Sequence, residues 1–286
     1  MKSLLQFFTM TAAAKSMRFL KIIAGLVVFG AGGVQAATIN TQWNFNDSAN
    51  ATTSVANVGG FAGSFIGGVS RSASGLGVSG TPGDYALSMS GAGAGSMMDA
   101  TTPGFMSAFN SLAGSQAMSV TFWQNLNAFS NSTAFWGQST SVGRGFNVHA
   151  PWGDQNIYYD TAGCCGPTQR LSGALGAAIG QWELITLVYD NGNKSIYRGT
   201  TLINSGGGFA ALVTDHTNFF VGNESATAIL NPNGRYDNFT LWNGALTPAE
   251  IAVLAVRPVP EPSAMVFSAV ALGALGLRRR RASRRD

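Results

Sequence analysis

Retaining hydrolysis of a glycosidic bond requires two carboxyl groups about 5–5.5 Å apart, one acting as nucleophile and one as acid. A Glu-x-Asp-x-Glu run on one strand face would supply them, and none of Glu183, Glu224, Glu250 or Glu261 belongs to such a run. Glu250 follows Thr247 by three residues, where it completes a helix cap. Glu261 lies between two prolines near the chain end. His149 and His216 are distant in sequence and have no Gly-x-Ser-x-Gly nucleophile turn to serve. The expectation is a protein that is not an enzyme.

Binding chemistry is better represented. Between Gly145 and Asp160, the residues Trp152, Asp154 and Tyr158 adjoin a Gly-rich loop. Aromatic faces stack on sugar rings, and carboxylates or amides bond sugar hydroxyls, so these three are the candidate ligand-binding residues. The competing expectation is that Trp and Tyr at strand spacing pack in the core or across strands. Cys164 and Cys165 are the only cysteines and are adjacent. Their Cα atoms must lie about 3.8 Å apart, below the usual disulfide range of about 4.4–6.8 Å, so a ring between them is strained. In an oxidising compartment a vicinal disulfide is the favoured arrangement; two thiols or an intermolecular bridge are the alternatives.

The two ends of the chain address it. Met17-Arg18-Phe19-Leu20-Lys21 is a basic start, Ile22 to Phe29 an apolar stretch, and Val34-Gln35-Ala36 a small-x-small pattern with cleavage expected between Ala36 and Ala37. Residues 1–36 therefore read as an extension plus a signal peptide, with Met1 and Met17 as alternative starts and signal peptidase as a partner. Residues 257–286 contain Val259-Pro260-Glu261-Pro262, an apolar run over 263–277 and an Arg-rich end over 278–285. Fifteen mostly apolar residues reach only about 22 Å as a helix, short of a hydrocarbon core of about 30 Å. Arg278 and Arg279, with their neighbours, can snorkel and fix that end on the cytoplasmic side. Between residues 37 and 262, seven Arg and Lys face twelve Asp and Glu, a net of 7 − 12 = −5, against +4 for the whole chain. The basic balance belongs to the ends, so no nucleic-acid partner is expected.

The middle, 37–256, must hold the candidate residues in place. It is rich in Gly, Ser, Thr, Asn and Ala and poor in Lys and Glu, a composition of short strands and tight turns. Ile39, Thr41, Trp43 and Phe45 share one face of a first strand. Short strands are expected around Phe61 to Val69 and at Tyr85, Leu87 and Met89, and longer ones over 118–126, 133–137, 145–149, 156–160, 181–190, 195–198, 218–222 and 235–243. Asp190-Asn191-Gly192-Asn193 supplies the positive φ angles of a tight hairpin. A single helix closes the domain, with Thr247 as cap, Pro248 at its first turn, and Ile251 and Leu254 facing inward. The fold class is all-β, a two-sheet antiparallel jelly-roll sandwich, with an N-terminal signal helix and a C-terminal hydrophobic helix.

The stretches that carry a resemblance are Trp43-Asn44-Phe45-Asn46-Asp47, Met118 to Trp123, Gly180 to Asp190, Ser195-Ile196-Tyr197, Asn218 to Gly222, and Gly234-Arg235-Tyr236-Asp237-Asn238-Phe239-Thr240-Leu241-Trp242-Asn243 followed by Ala245-Leu246-Thr247-Pro248-Ala249-Glu250-Ile251. In order and spacing they resemble the laminin-G-like, concanavalin A-like lectin/glucanase jelly rolls of bacterial surface proteins. The resemblance implies binding of glycans or surface proteins, and laminarinase-like glycosidases share the same jelly roll. No cofactor is certain; some relatives hold Ca²⁺, which would place Asp47 and Asp237 as metal ligands, the alternative being that these side chains satisfy turn backbone. The tail, through Pro260, Glu261 and Pro262, resembles the Pro-Glu-Pro (PEP-CTERM) sorting signals recognised by exosortase-type membrane proteases. Together these imply an exported, non-catalytic binding protein of the cell envelope, outer surface or extracellular matrix, anchored transiently in the inner membrane by its tail. Its alternatives are a divergent glycoside hydrolase or a structural matrix protein without a discrete ligand.

Overall fold

Alternation of apolar and polar side chains, broken often by Gly and Asn, produces many short strands. The computed structural model describes residues 36–47, 52–89 and 93–256. In chain order the elements are β1 (Thr38–Trp43), β2 (Thr53–Val55), β3 (Ala62–Ile66), β4 (Ser70–Arg71), β5 (Leu87–Ser88), β6 (Met97–Asp99), α1 (Pro103–Gly114), β7 (Ala117–Leu126), β8 (Thr133–Ser139) and β9 (Gly143–His149). They continue with β10 (Asn156–Thr161), β11 (Arg170–Ala174), β12 (Trp182–Asp190), β13 (Asn193–Arg198), β14 (Thr201–Gly206), β15 (His216–Val221), β16 (Gly234–Asn243) and α2 (Pro248–Leu254). One sheet runs β14-β13-β12-β7-β16-β5-β4, with β1 on the other half of β16; the second runs β11-β10-β9-β8-β15-β6-β3-β2. Neighbours pair antiparallel, as in β7 against β12 and β8 against β9, which gives the expected jelly-roll sandwich. The signal helix and the C-terminal hydrophobic helix fall outside the described residues.

The core between the sheets is aromatic. Phe219 lies 5.2 Å from Phe105, 4.9 Å from Phe109 and 5.8 Å from Phe135, ring centre to ring centre, and Trp43, Phe122 and Phe239 extend the cluster. Thr41, Trp43 and Phe45 are buried as their alternation requires, but Ile39 is 36% exposed. A bulge between Ile39 and Thr41 shifts the pairing with β16 and turns Ile39 out of that face. In the β12–β13 hairpin, Asp190 opposes Asn193, while Asn191 and Gly192 take φ of 47° and 82°. Leu184 and Val188 pack on the outer face of β12 and Leu187 and Tyr189 in the core, so both faces are covered.

Among the described residues two helices, rather than one, are present. α2 has the expected capping box between Thr247 and Glu250 and buries Ile251. α1 was not expected. Thr102 caps it, Pro103 opens it, and Phe105, Met106, Phe109, Leu112 and Ala113 form its buried stripe. Among the described residues no helix is long and apolar enough to cross a membrane.

Candidate functional site

The outer face of the second sheet carries two cross-strand rows. Trp136 of β8 opposes Asn147 of β9, Asn147 opposes Asp160 of β10, and Asp160 opposes Arg170 of β11. Directly opposed residues in an antiparallel pair point to the same face, so these four side chains line up. The next row is Thr133, His149, Tyr158 and Ser172. The alternate positions Phe135, Phe146, Val148, Ile157 and Tyr159 fill the core. Period-two alternation thus places the rows outside and the hydrophobic residues inside.

Asp160 anchors the first row. Its side chain is wholly buried, and Arg170 grips both carboxylate oxygens, Nε to Oδ1 at 2.7 Å and Nη2 to Oδ2 at 2.6 Å. Arg144 approaches the same carboxylate at 3.8 Å and lies over the Trp136 ring at 4.9 Å from its centre. Arg170 lies over Tyr158 at 4.4 Å. Between Trp136 and Asp160, Asn147 is fully buried, and neither of its amide atoms has a hydrogen-bond partner among the described residues.

The turn from β10 to β11 carries the cysteines onto this face. Ala162 and Gly163 donate their backbone N–H groups to the Gly145 and Arg144 carbonyls at 2.8 and 2.7 Å, so the turn is stitched to β9. Cys164 and Cys165 form a vicinal disulfide with Cα atoms 3.7 Å apart. Arg144 Nη1 donates to Cys164 Sγ at 3.2 Å. Beneath the turn, buried Lys194 donates to the Tyr159 and Gln169 carbonyls at 3.2 and 2.5 Å, and burial pushes its ammonium down to about 7. Two clefts flank the disulfide. One, of about 280 Å³, is lined by Arg144, His149, Trp152, Tyr158, Cys165 and Arg170. The other, of about 460 Å³, adds Trp136, Gln138, Cys164 and Glu224 around the same Arg144.

Trp152 and Tyr158, singled out from the sequence, line one cleft together, but their roles differ from expectation. Tyr158 does not offer a free ring: Arg170 covers one face and the hydroxyl donates to Asp154. That bond, with those from Asn156, holds the Asp154 carboxyl below its ordinary range and raises the Tyr158 hydroxyl. Asp154 therefore fixes Tyr158 from the rim and does not line the cleft. Trp152 is half-buried, edge-on to His149 at 4.7 Å. His149 reaches Thr133 Oγ1 at 3.1 Å, and burial pushes it down to about 4. Arg144, Arg170, Asn147 and His149 were not singled out for binding, although alternation of Phe146 and Val148 with Asn147 and His149 would turn the last two outward.

The metal assignment is corrected. Asp47 accepts from Arg71 Nη2 at 2.7 Å, Ser54 Oγ at 2.8 Å and the Val55 backbone at 2.8 Å, so a cation already neutralises it. Asp237 is buried and accepts from the Val78 and Asn238 backbones, both at 2.7 Å. Burial, with the charge of Asp84 adding, pushes its carboxyl up to about 8. Both aspartates satisfy backbone donors, and this pair does not fit the oxygen-rich cage that Ca²⁺ needs. Asp160, Cys164 and Cys165 also lie close enough to share an ion. Oxidised sulfurs and the two guanidiniums beside Asp160 make that cluster unsuited to a cation. Of the processing residues, Ala36 and Ala37 are described and Ala37 donates its N–H to Glu250 Oε1 at 3.3 Å; Pro260, Glu261, Pro262, Arg278 and Arg279 lie outside the described residues.

No curated protein matches the sequence. Among solved structures, domain 4 of AbnA, an extracellular GH43 arabinanase from Geobacillus stearothermophilus in complex with arabinotriose, gives a TM-score of 0.56 at 18% identity, covering 77% of this chain and 100% of that one. The Trypanosoma rangeli sialidase, in complex with a difluorinated sugar acid, gives 0.56 at 12% identity over 76% of this chain. This chain spans 32% of the sialidase's length. At such identities the likeness is one of fold. It nevertheless corrects the expectation that the protein is not an enzyme: these two neighbours of the fold belong to an arabinanase and a sialidase, so the missing Glu-x-Asp-x-Glu run does not exclude catalysis. The sequence itself matches the superfamily of concanavalin A-like lectins and glucanases over residues 99–252, more than half of its length and including both rows of the outer face. With that match and the two-sheet jelly roll, the chain belongs to the concanavalin A-like lectin/glucanases superfamily.

Proposed function

We propose that this protein is an exported carbohydrate-binding protein of the cell envelope or extracellular matrix, with the outer face of the second sheet as its binding surface. The observation that carries the reading is the groove around the vicinal disulfide, where half-buried Trp152 adjoins Arg144, Arg170 and His149. Such a mixture of aromatic surface and convergent polar groups suits a sugar. The fold's neighbour in AbnA was solved with arabinotriose, which supports the same ligand class.

Export and processing complete the proposal. Cleavage after Ala36 by signal peptidase would create an α-ammonium where Ala37 N already meets Glu250 Oε1 at 3.3 Å, which favours Ala37 as the mature start. An exosortase-like protease acting at Pro260-Glu261-Pro262 would then release the chain from its short apolar anchor.

Affinity electrophoresis of the purified protein through a panel of neutral and acidic polysaccharides tests the binding, with release of reducing ends followed in the same samples. Retardation by at least one polysaccharide, weakened about tenfold by Trp152→Ala, is the expected result. Unretarded migration throughout, or unchanged retardation of the variant, would remove the groove from consideration. Fractionating cells that express the chain with and without residues 260–262 tests processing; a mature protein that keeps its tail would reject it.

A further inference from the structure

We infer that the groove selects acidic saccharides, with the Arg144 guanidinium receiving a sugar carboxylate beside the vicinal disulfide. This rests on the carbohydrate reading above and deepens it. The charge count around the groove is unbalanced. Among the described residues Asp160 is the one carboxylate within ion-pair distance of either arginine, and Arg170 already holds both of its oxygens. Arg144 is left at 3.8 Å, with Cys164 Sγ as its side-chain hydrogen-bond acceptor and Trp136 beneath it. A disulfide sulfur is a weak acceptor, and among the described residues no other side-chain hydrogen bond engages this guanidinium, whose side chain is 32% exposed.

The surroundings strengthen the preference. The lining of the smaller cleft contains two guanidiniums and no carboxylate. Glu224, in the adjoining cleft, makes no ion pair among the described residues. His149 adds no charge near neutral pH, because burial keeps it unprotonated. Asn147 lies between Trp136 and Asp160 in the row that Arg144 bridges, so a shift of Arg144 toward a ligand would uncover an amide donor and acceptor. A carboxylate on a sugar ring can take the fork of Arg144 in bidentate fashion while the ring rests against Trp152. Residues 37–262 carry a net charge of −5 while the whole chain carries +4, so attraction of polyanions to the basic ends is separated from the groove by Arg144→Gln, which leaves both ends intact.

The test titrates the purified full chain with sodium polygalacturonate and sodium alginate, each against its carboxyl-reduced counterpart, and with dextran sulfate, at about 0.15 M salt, near one Debye length of 8 Å. At least one uronate polymer should bind at least tenfold more tightly than its carboxyl-reduced form. Arg144→Gln should erase that ratio, and Arg144→Lys should keep part of it. Equal binding of a uronate polymer and its reduced form, or retention of neutral polysaccharides alone, overturns this inference and leaves the carbohydrate reading standing. Binding to no polysaccharide overturns both. Dextran sulfate binding as tightly as the uronates, with the same loss in salt, assigns the effect to general charge and also overturns it. Circular dichroism checks that the variants fold, and if Arg144→Gln does not, the comparison of each polymer with its reduced form on the unaltered protein decides.

Discussion

Replacing Asp160 by Asn would remove the charge that organises the groove while preserving the size of the side chain. Asp160 is completely buried, and Arg170, 22% exposed at its side chain, donates to both oxygens at 2.6–2.7 Å. Removing one partner of a buried pair costs about 3–5 kcal/mol, because the other charge is left uncompensated. Water can reach part of Arg170, which lowers the expected cost to about 2–3 kcal/mol. For a domain of this size that is a fall of about 4–12 °C in Tm. Urea unfolding at pH 7 measures it through the shift in midpoint at constant slope. The double variant Asp160→Asn/Arg170→Met removes both charges, so it should lose less than the sum of the two single changes, by about 1.5–3 kcal/mol. A loss below about 0.5 kcal/mol for Asp160→Asn, the level of an ordinary surface substitution, would refute the reasoning, as would strict additivity in the cycle.

Mild acid should destabilise the fold. Burial pushes His149, which faces Arg144, Arg170 and Asp160, and His216, which faces Asp215, from 6.5 down to about 4. The unfolded chain binds those protons first, so their stabilisation is complete above pH 6.5 and is lost as pH falls toward 4. Asp237, pushed up to about 8, acts in the opposite sense over the same window, which leaves a net loss of about 3 kcal/mol. The urea midpoint should therefore drop between pH 7 and 4.5, and a midpoint that rises would contradict the assignment. Gly192→Ala should cost about 1–2 kcal/mol in thermal unfolding, since φ is 82° and a Cβ would sit 3.1 Å from the Phe209 carbonyl. Phe219→Ala, at the centre of the aromatic core, should cost about 3–5 kcal/mol; a loss under 1 kcal/mol would mean that the two sheets do not pack through it.

What was legible in the sequence was whatever local chemistry determines. The Asn191-Gly192 turn, the Thr247–Glu250 capping box and the two-faced β12 depend on neighbours along the chain, and each is present as expected. β11 and β14 were missed because they lie at sheet ends and are mostly half-buried or exposed, so they carry little apolar alternation. α1 had a readable signature in Thr102, Pro103 and the stripe from Phe105 to Ala113, but Gly and Ser within the helix obscured it. At the site, Trp152 and Tyr158 were found by residue type. Arg144 and Arg170 were not, because their significance arises from register: only pairing of β9, β10 and β11 brings both to the carboxylate of Asp160. Asp47 misled for the converse reason, since its partner Arg71 lies 24 residues away in sequence and nothing local announces the pair.

The central claim concerns where the ligand sits, and amide hydrogen exchange with a retained polysaccharide at saturation tests it most directly. Slowed exchange is expected along β9 and β10, in the Trp152 loop and in the turn bearing Cys164 and Cys165, with little change on α2 or on the outer face of β12. Protection confined to α2 and β12, with the turn exchanging as in the free protein, would contradict the assignment of the binding surface.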